Sequence, residues 1–385
     1  MNNFTYHNPV KIVFGKKTIE KLSTLIPKEA KVLMLYGAGS IKKNGVFDQV
    51  MAALKNHTVH EFSGIEANPE YETLMKAAEL VKKEGIDFLL SVGGGSVLDG
   101  TKFVAAAVKY TGGDPWDLLV KRTKSKVKEA LPIGSVLTLA ATGSEMNGFS
   151  VISRRERGEK LAFGSPLLYP VFSILDPETT YTLPESQTAN GVIDAFVHVM
   201  EQYLTYDVNS PLQDRQSEAV LKVLIEEGPK ALGSPNDYDV RANLMWCATH
   251  ALNGNLSCGV PQDWATHMIG HEITAEYGLD HAQSLAVVMP VLIDNRKANK
   301  KEKFTHYARR VWHIIKDGDE AYAEGMEKTV NFFKQMGMKT RLNEYNIDKT
   351  GFENIANRLD ARGIKLGEHQ DIGKKEILEI LNACY

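Results

Sequence analysis

The chain has 385 residues, 43% hydrophobic and 24% charged, with a formal net charge of −3. This is ordinary for a globular enzyme of two domains, and with no basic cluster interleaved with aromatics it argues against a nucleic-acid partner. Three scattered cysteines, Cys247, Cys258 and Cys384, exclude a disulfide framework and a cysteine-rich zinc site and fit a reducing compartment.

Met1 to Pro9 shows no basic-then-apolar export pattern. The most apolar runs, Leu131–Ala141 and Leu285–Ile293, are too short to span a bilayer. A cytoplasmic protein without a membrane partner is the expectation.

Lys11–Gly15 reads as a short strand stopped by glycine, with a helix expected near Lys17–Leu25. Lys31–Tyr36 is an apolar run of strand length, closed by Gly37-Ala-Gly39-Ser40 and followed by a helix from about Ile41 to Leu54. A strand near Thr58–Phe62, a helix near Pro69–Lys83 and a strand over Asp87–Val92 come next. The last runs into Gly93-Gly-Gly-Ser96 and a helix to about Tyr110. Pro132–Thr138 is a further buried strand. Phe149–Ser153 and Lys160–Phe163 flank a polar segment as a hairpin, and Val171–Leu175 is a strand stopped by Asp176-Pro177. Strands alternating with helices predict a parallel sheet covered on both faces.

From about Pro184 strand signals fade and amphipathic stretches dominate. Helices are expected over Glu185–Tyr203, Leu212–Glu226, Val240–Asn253, Gln262–Tyr277 and Ala282–Asn295, then near Glu302–Ile314, Asp319–Met336, Lys349–Leu359 and Lys374–Asn382. The expected organisation is an α/β domain over residues 1–183 and a helical domain over 184–385.

Gly93, Gly94, Gly95 and Ser96 lie between a predicted strand and a predicted helix. Glycines there let backbone N–H groups approach a phosphate, and the helix N-terminus adds favourable partial charge. A tight strand-to-helix turn is the plainer alternative. The loop is not a Walker A motif, because Thr101-Lys102 reverses the required order. Nor does Gly37-Ala-Gly39 complete the usual dinucleotide fingerprint, since position 42 is lysine. Thr138 to Asn147 is a small polar loop after an apolar strand and could line a ligand crevice at the carboxyl end of a sheet.

Asp194 and His198 stand four apart in a segment otherwise rich in Val, Ile, Phe and Met. Such a pair is costly to bury without a partner, which a cation would supply; a satisfied core pair or an exposed pair is the alternative. The second such stretch, Asp263–His281, holds three of the chain's eleven histidines. His267 and His271 share a helix face, Gly278 can end that helix, and His281 follows in the turn. Combining the two gives Asp194, His198, His267 or His271, and His281, a nitrogen-rich set suited to Fe²⁺ or Zn²⁺ rather than Mg²⁺ or Ca²⁺. Ala275 after His271-Glu272 excludes an HExxH protease motif, and no GxSxG elbow occurs.

These motifs together resemble the iron-containing (group III) alcohol dehydrogenases, in the butanol dehydrogenase-like, aldehyde-reducing branch, over nearly the whole chain. Gly93 to Asp99 looks like that family's pyrophosphate loop, and Thr138 to Asn147 like its nicotinamide-side loop. The segments around Asp194/His198 and His267/His281 look like its metal-binding segments. The resemblance implies a Rossmann-like N-terminal domain, an all-helical C-terminal domain as in dehydroquinate synthase, and an active site between them. It implies that Asp194, His198, His267 and His281 bind the metal, Fe²⁺ or alternatively Zn²⁺, and that His271 faces the nicotinamide or substrate as a catalytic or positioning residue. It assigns the cofactor to Gly37, Gly39, Ser40, Gly93, Gly94, Gly95, Ser96, Asp99, Thr138, Thr142, Asn147 and Lys160.

The implied reaction is reversible hydride transfer between a nicotinamide cofactor and a small aliphatic alcohol/aldehyde pair, with the metal as Lewis acid on the substrate oxygen. NAD-preferring members tend to carry an acidic residue in the loop after the first core strand. Here Gly37 to Lys43 has no carboxylate, while Ser40, Lys42 and Lys43 are close. NADP(H) is therefore expected over NAD(H), with an NAD(H)-preferring butanol or diol dehydrogenase as the alternative. The family also implies a homodimer, through the Tyr6–Gly15 region.

Other classes fit less well. A dehydroquinate synthase-like lyase would need several basic residues for a sugar phosphate, yet Gly191–Glu201 and Trp264–His271 are mostly apolar. A glycerol dehydrogenase-like enzyme would use a different metal set, and nothing in the chain requires a non-enzymatic metal-binding scaffold.

Overall fold

The computed structural model describes residues 1–120, 127–363 and 365–385. The chain forms two compact units, and neither is one stretch of sequence. His7–Leu183 is joined by Pro235–Thr249, and Pro184–Ser234 is joined by Met1–Tyr6 and His250–Tyr385.

The first unit contains β1 (Lys11–Phe14), β2 (Lys31–Tyr36), β3 (Thr58–Phe62), β4 (Phe88–Gly93), β5 (Ile133–Leu137), β6 (Phe149–Arg154), β7 (Glu159–Gly164) and β8 (Phe172–Leu175). Six of them form a sheet in the order β1-β8-β5-β4-β2-β3, every pair parallel, and β6 and β7 form a separate antiparallel hairpin. Side chains alternate across a strand, so β2 divides between two cores. Leu33 and Leu35 join the cluster containing Leu74, Ala78, Phe103 and Val104, while Val32, Met34 and Tyr36 join the one containing Ile19, Leu22, Val46 and Val50. Both faces are thus covered, as a parallel sheet requires.

The covering helices are α1 (Leu22–Leu25), α2 (Ser40–Lys43), α3 (Val46–Ala53), α4 (Tyr71–Glu84), α5 (Gly95–Ala107) and α6 (Asp117–Val120). The single helix expected over Ile41–Leu54 is two, α2 and α3. The break is at Gly45, whose φ of +82° is left-handed and ends the helical ladder. The helix expected at Lys17–Leu25 is a 3₁₀ turn, Thr18–Lys21, running into the single turn of α1.

The second unit is helical: α7 (Glu185–Tyr203) and α8 (Pro211–Gly233), then, after α9 (Tyr238–Ala251), α10 (Ala265–Tyr277), α11 (His281–Asn295), α12 (Lys297–Val311), α13 (Gly318–Gln335), α14 (Phe352–Ala361) and α15 (Lys374–Ala383). Most of α9 belongs to the α/β unit, where Met245 packs against Leu137 and Leu175. Helix α8 runs past the expected end at Glu226 and through Pro229. Packing overrides the proline: a Cβ on Gly228 would lie 2.9 Å from Val192 Cγ1, so α7 and α8 are in close contact there. Helix α12 starts at Lys297, ahead of the expected Glu302, and its first turn carries the buried Lys300. Its ammonium meets Asp263 at 2.6 Å, Glu368 at 2.9 Å and the Leu204 carbonyl at 2.7 Å. Among the described residues no helix is long and apolar enough to cross a membrane.

Candidate functional site

In the α/β unit the glycines after β4 are fixed by close packing. A Cβ on Gly93 would lie 2.6 Å from Val97 Cγ2, one on Gly94 3.1 Å from Leu139 Cβ, and one on Gly95 2.3 Å from Thr142 Oγ1. The loop therefore folds over the first turn of α5 and against the Thr138–Asn147 loop. Thr138 N–H donates to the Gly93 carbonyl at 3.0 Å, which joins the two loops at the carboxyl ends of β4 and β5. At the start of α5 the first N–H groups lack intrahelical partners, and with the helix dipole they form an anion seat.

Both loops are braced from beneath by Asp99, expected at the cofactor, and by Lys102, which sequence reasoning leaves unassigned. Lys102 on α5 is fully buried, and its ammonium lies 2.7 Å from Ser144 O and Oγ, 2.8 Å from Phe149 O and 3.2 Å from Asn147 Oδ1. Burial pushes its pKa down to about 8 against the pull of Asp99 and Glu145. Asp99 accepts the Ser144 hydroxyl at 2.6 Å and Val151 N–H at 2.9 Å, so each carboxylate oxygen has a protein donor. Asn147 donates to the Gly143 carbonyl at 2.9 Å and accepts Phe149 N–H at 2.9 Å. Lys160 is buried and donates to Asn68 Oδ1 at 2.9 Å. Asp99, Asn147 and Lys160 thus all hold protein partners. The available signal for Lys102 was a lysine inside the apolar run Thr101-Lys-Phe-Val-Ala-Ala-Ala107, where a charge needs several acceptors.

The Gly37–Ser40 loop follows β2, next to β4 in the sheet. Gly39 takes a φ of +96°, which favours glycine. The loop itself carries no carboxylate, but the fold brings one from β3. Glu61 Oε2 accepts the Tyr36 hydroxyl at 2.8 Å and the Lys42 ammonium at 3.0 Å.

In the helical unit, Asp194, His198 and Glu201 lie on one face of α7, His267 and His271 on α10, and His281 at the start of α11. Gly270 lets α10 approach α11: a Cβ there would lie 2.9 Å from Ser284 Oγ. The result is a convergence on one oxygen. Asp194 Oδ1 lies 3.7 Å from His198 Nε2, 3.6 Å from His267 Nε2 and 3.7 Å from His281 Nε2. An ion held tetrahedrally by bonds of about 2.1 Å separates its ligand atoms by about 3.4 Å, close to these spacings. The ligand atoms of Asp194, His267 and His281 lie within 4.8 Å of one another. His198 is outside that mutual group and joins it through Asp194 Oδ1, with its ring stacked on His267 at 4.5 Å between centroids. His267 Nε2 is buried without a hydrogen bond, its nearest carboxylate oxygen, Asp194 Oδ1, standing 3.6 Å away, an arrangement a bound cation satisfies. Three imidazoles and one carboxylate fit Fe²⁺ or Zn²⁺.

Glu201, seven residues after Asp194 on the same face, is another residue that sequence reasoning leaves unassigned; the signal was its helical spacing. It is buried, its Oε1 accepts Thr266 N–H at 2.6 Å, and its Oε2 is hydrogen-bonded to His267 Nδ1. A carboxylate on the far nitrogen fixes the tautomer and would aim Nε2 at a bound cation. Burial alone would lower the His267 pKa, but the carboxylates of Glu201 and Asp194 outweigh it and raise it to about 9. Burial pushes His198 down to about 4, and the two carboxylates that draw a proton onto His267 would equally draw a cation in its place.

His271 lies outside the convergence, with its ring 4.8 Å from that of His281 and 6.1 Å from that of His267. Trp264, in left-handed backbone at φ +62°, sets its ring edge-on to His267 at 5.4 Å. Its backbone turn is secured by Asp263, which accepts Ala265 N–H at 2.9 Å and is held by Lys300.

Comparison with known proteins adds the lineage. Residues 9–177 match the model for iron-containing alcohol dehydrogenase, and residues 188–385 match the C-terminal model of the Fe-containing alcohol dehydrogenase family. The chain is 53% identical over 375 residues to the NADPH-dependent aldehyde reductase YqhD of Escherichia coli, covering 97% of each. It is 43% identical over 389 residues to the probable NADH-dependent butanol dehydrogenase 1 of Bacillus subtilis, covering 100% of each. The crystal structure of the Escherichia coli protein YqhD superposes with a TM-score of 0.98 at 52% identity, covering 100% of this chain and 99% of that one.

Proposed function

The chain belongs to the iron-containing alcohol dehydrogenase family, and from that premise we propose that it is an NADP(H)-preferring, metal-dependent reductase of small aliphatic aldehydes, reversible as an alcohol dehydrogenase. The observation that carries the metal reading is the convergence of three Nε2 atoms on Asp194 Oδ1. Asp194, His198, His267 and His281 would hold the ion, with Fe²⁺ the proposed metal and Zn²⁺ the alternative. When bound, the metal supplies Lewis-acid polarisation of the substrate oxygen and the nicotinamide supplies the hydride.

The chain's own residues do the rest. Glu201 orients His267 through Nδ1. His271, one turn further along α10, is proposed to position the substrate or relay a proton. Gly93, Gly94, Gly95 and Ser96 with the start of α5 are proposed to seat the pyrophosphate, while Thr138 and Thr142 line the same crevice. Asp99 and Asn147 act on the cofactor through the loop they brace, because their side chains already meet protein groups. Lys160, bonded to Asn68, is proposed at the rim of the same site.

The cofactor preference is supported by Ser40, Lys42 and Lys43 in a loop without its own carboxylate, and by the NADPH dependence in the name of the 53%-identical relative. With butanal as substrate, kcat/KM is expected to be higher with NADPH than with NADH; the reverse order overturns the preference. Metal analysis of the protein purified without added metal, with activity after reconstitution by each ion, decides between iron and zinc.

A homodimer is part of the same reading. Among the described residues β1 pairs with β8 alone and lies at the edge of the sheet, and an open edge can accept a strand from a second copy. A light-scattering mass equal to one chain at micromolar concentration would count against it.

A further inference from the structure

We infer that Glu61, acting through Lys42, sets how strongly the ribose pocket discriminates between NADP(H) and NAD(H). The inference rests on the NADP(H)-preferring reading above and deepens it.

The argument starts from sheet order. The glycine-rich turn follows β4, and β2 is its neighbour. In a doubly wound sheet the adenosine ribose lies toward the end of the strand adjacent to the one bearing the glycine-rich turn. The loop after β2 is Gly37–Ser40, and it reaches the first turn of α5: a Cβ on Gly37 would lie 3.9 Å from Val97 Cγ2. The two lysines that make this loop look basic, Lys42 and Lys43, end the single turn of α2.

Lys42 is not a lone cation. Its ammonium is 3.0 Å from Glu61 Oε2 and lies over the rings of Phe47 and Tyr36, 4.4 and 5.3 Å from their centroids. The same Glu61 oxygen accepts the Tyr36 hydroxyl at 2.8 Å. Glu61 stands on β3 opposite Met34 of β2, so the carboxylate is delivered by strand pairing from nineteen positions away. Tyr36, Phe47 and Glu61 hold Lys42 in place, and Glu61 offsets part of its charge.

The two cofactors sense this pair differently. A 2′-phosphate carries a charge of about −1.5 to −2, is drawn to Lys42 and is repelled by Glu61. Free ribose hydroxyls carry no charge and can donate to a carboxylate. Glu61 therefore disfavours NADP(H) relative to what two uncompensated lysines would give, and it leaves NAD(H) a usable acceptor. Lys43 and Lys42 keep the balance on the NADP(H) side, but by less than the loop sequence suggests.

Glu61→Gln keeps an acceptor for Tyr36 and removes the charge. The ratio of kcat/KM for NADPH over NADH is expected to rise about three- to tenfold at low ionic strength, mainly through KM for NADPH, and the gain should shrink in high salt. Binding of 2′,5′-ADP relative to 5′-AMP should rise in parallel, a readout that needs neither metal nor turnover. Lys42→Met should lower both ratios. In the double variant the two effects should be non-additive, as expected of groups in contact. An unchanged or lowered ratio in Glu61→Gln, by turnover and by fragment binding, overturns the inference. If the unmodified protein favours NADH, the cofactor preference proposed above has failed, whereas a preference for NADPH that Glu61→Gln does not alter sinks only the role of Glu61.

Discussion

His267→Ala is expected to lose both the metal and the activity, whereas His271→Ala is expected to keep the metal and lose or alter turnover. The two histidines are one helical turn apart on α10, yet only His267 presents a nitrogen 3.6 Å from Asp194 Oδ1 with a carboxylate behind it. Removing that imidazole deletes one ligand and leaves Glu201 and Asp194 facing a void, so metal affinity should fall by more than about a hundredfold, beyond the effect typical of an outer-shell change. Glu201→Gln tests the support separately. It retains an acceptor for Thr266 N–H but removes the charge that orients His267, and affinity should fall about 10- to 100-fold with the fold intact. The measurement is competition with a chelator for Zn²⁺ or Co²⁺, alongside thermal melting. A result in which His271→Ala strips the metal and His267→Ala does not would reverse the assignment.

Gly95→Ala is expected to weaken NADPH binding by at least about tenfold while leaving metal content unchanged. A Cβ at this position would lie 2.3 Å from Thr142 Oγ1, 2.6 Å from its Cγ2 and 3.0 Å from its Cβ. Threonine is too short to swing clear, so the glycine loop and the 138–147 loop must separate, at a cost of about 1–3 kcal/mol typical of overpacking. That separation moves the backbone N–H groups proposed to meet the pyrophosphate. Adding Thr142→Gly removes the clashing side chain, and the double variant should regain much of the binding. Calorimetric titration with NADPH reads the effect without turnover. Binding equal to that of the unmodified chain in Gly95→Ala would mean that the pyrophosphate sits elsewhere.

Much of the architecture was legible along the chain because its signals are local. The strands over 31–36, 87–92 and 132–138 are apolar runs of strand length bounded by turn residues, and they appear as β2, β4 and β5 in one parallel sheet. The misread elements have two causes. Gly45 splits an expected helix through its left-handed backbone. Helix α8 outruns its proline where Gly228 packs on Val192, and the early first turn of α12 carries Lys300, buried between two carboxylates. The latter two depend on neighbours distant in sequence.

The same division holds at the site. Residue types and short spacings by themselves determined the α/β-then-helical order, the glycine turn after β4, and the supply of one carboxylate and several imidazoles for a cation, since all of these are patterns within one or two turns of chain. Spacing by itself leaves His267 and His271 equivalent, and only the family resemblance preferred His267 before the tertiary structure brought His267 and His281 to Asp194. The tertiary structure alone revealed Glu201 behind His267, Lys102 beneath the 138–147 loop and Glu61 against Lys42, at separations of 66, 42 and 19 residues. A charge can be neutralised by any group the fold delivers to within a few ångströms, and no pattern of neighbouring residues records which group that will be.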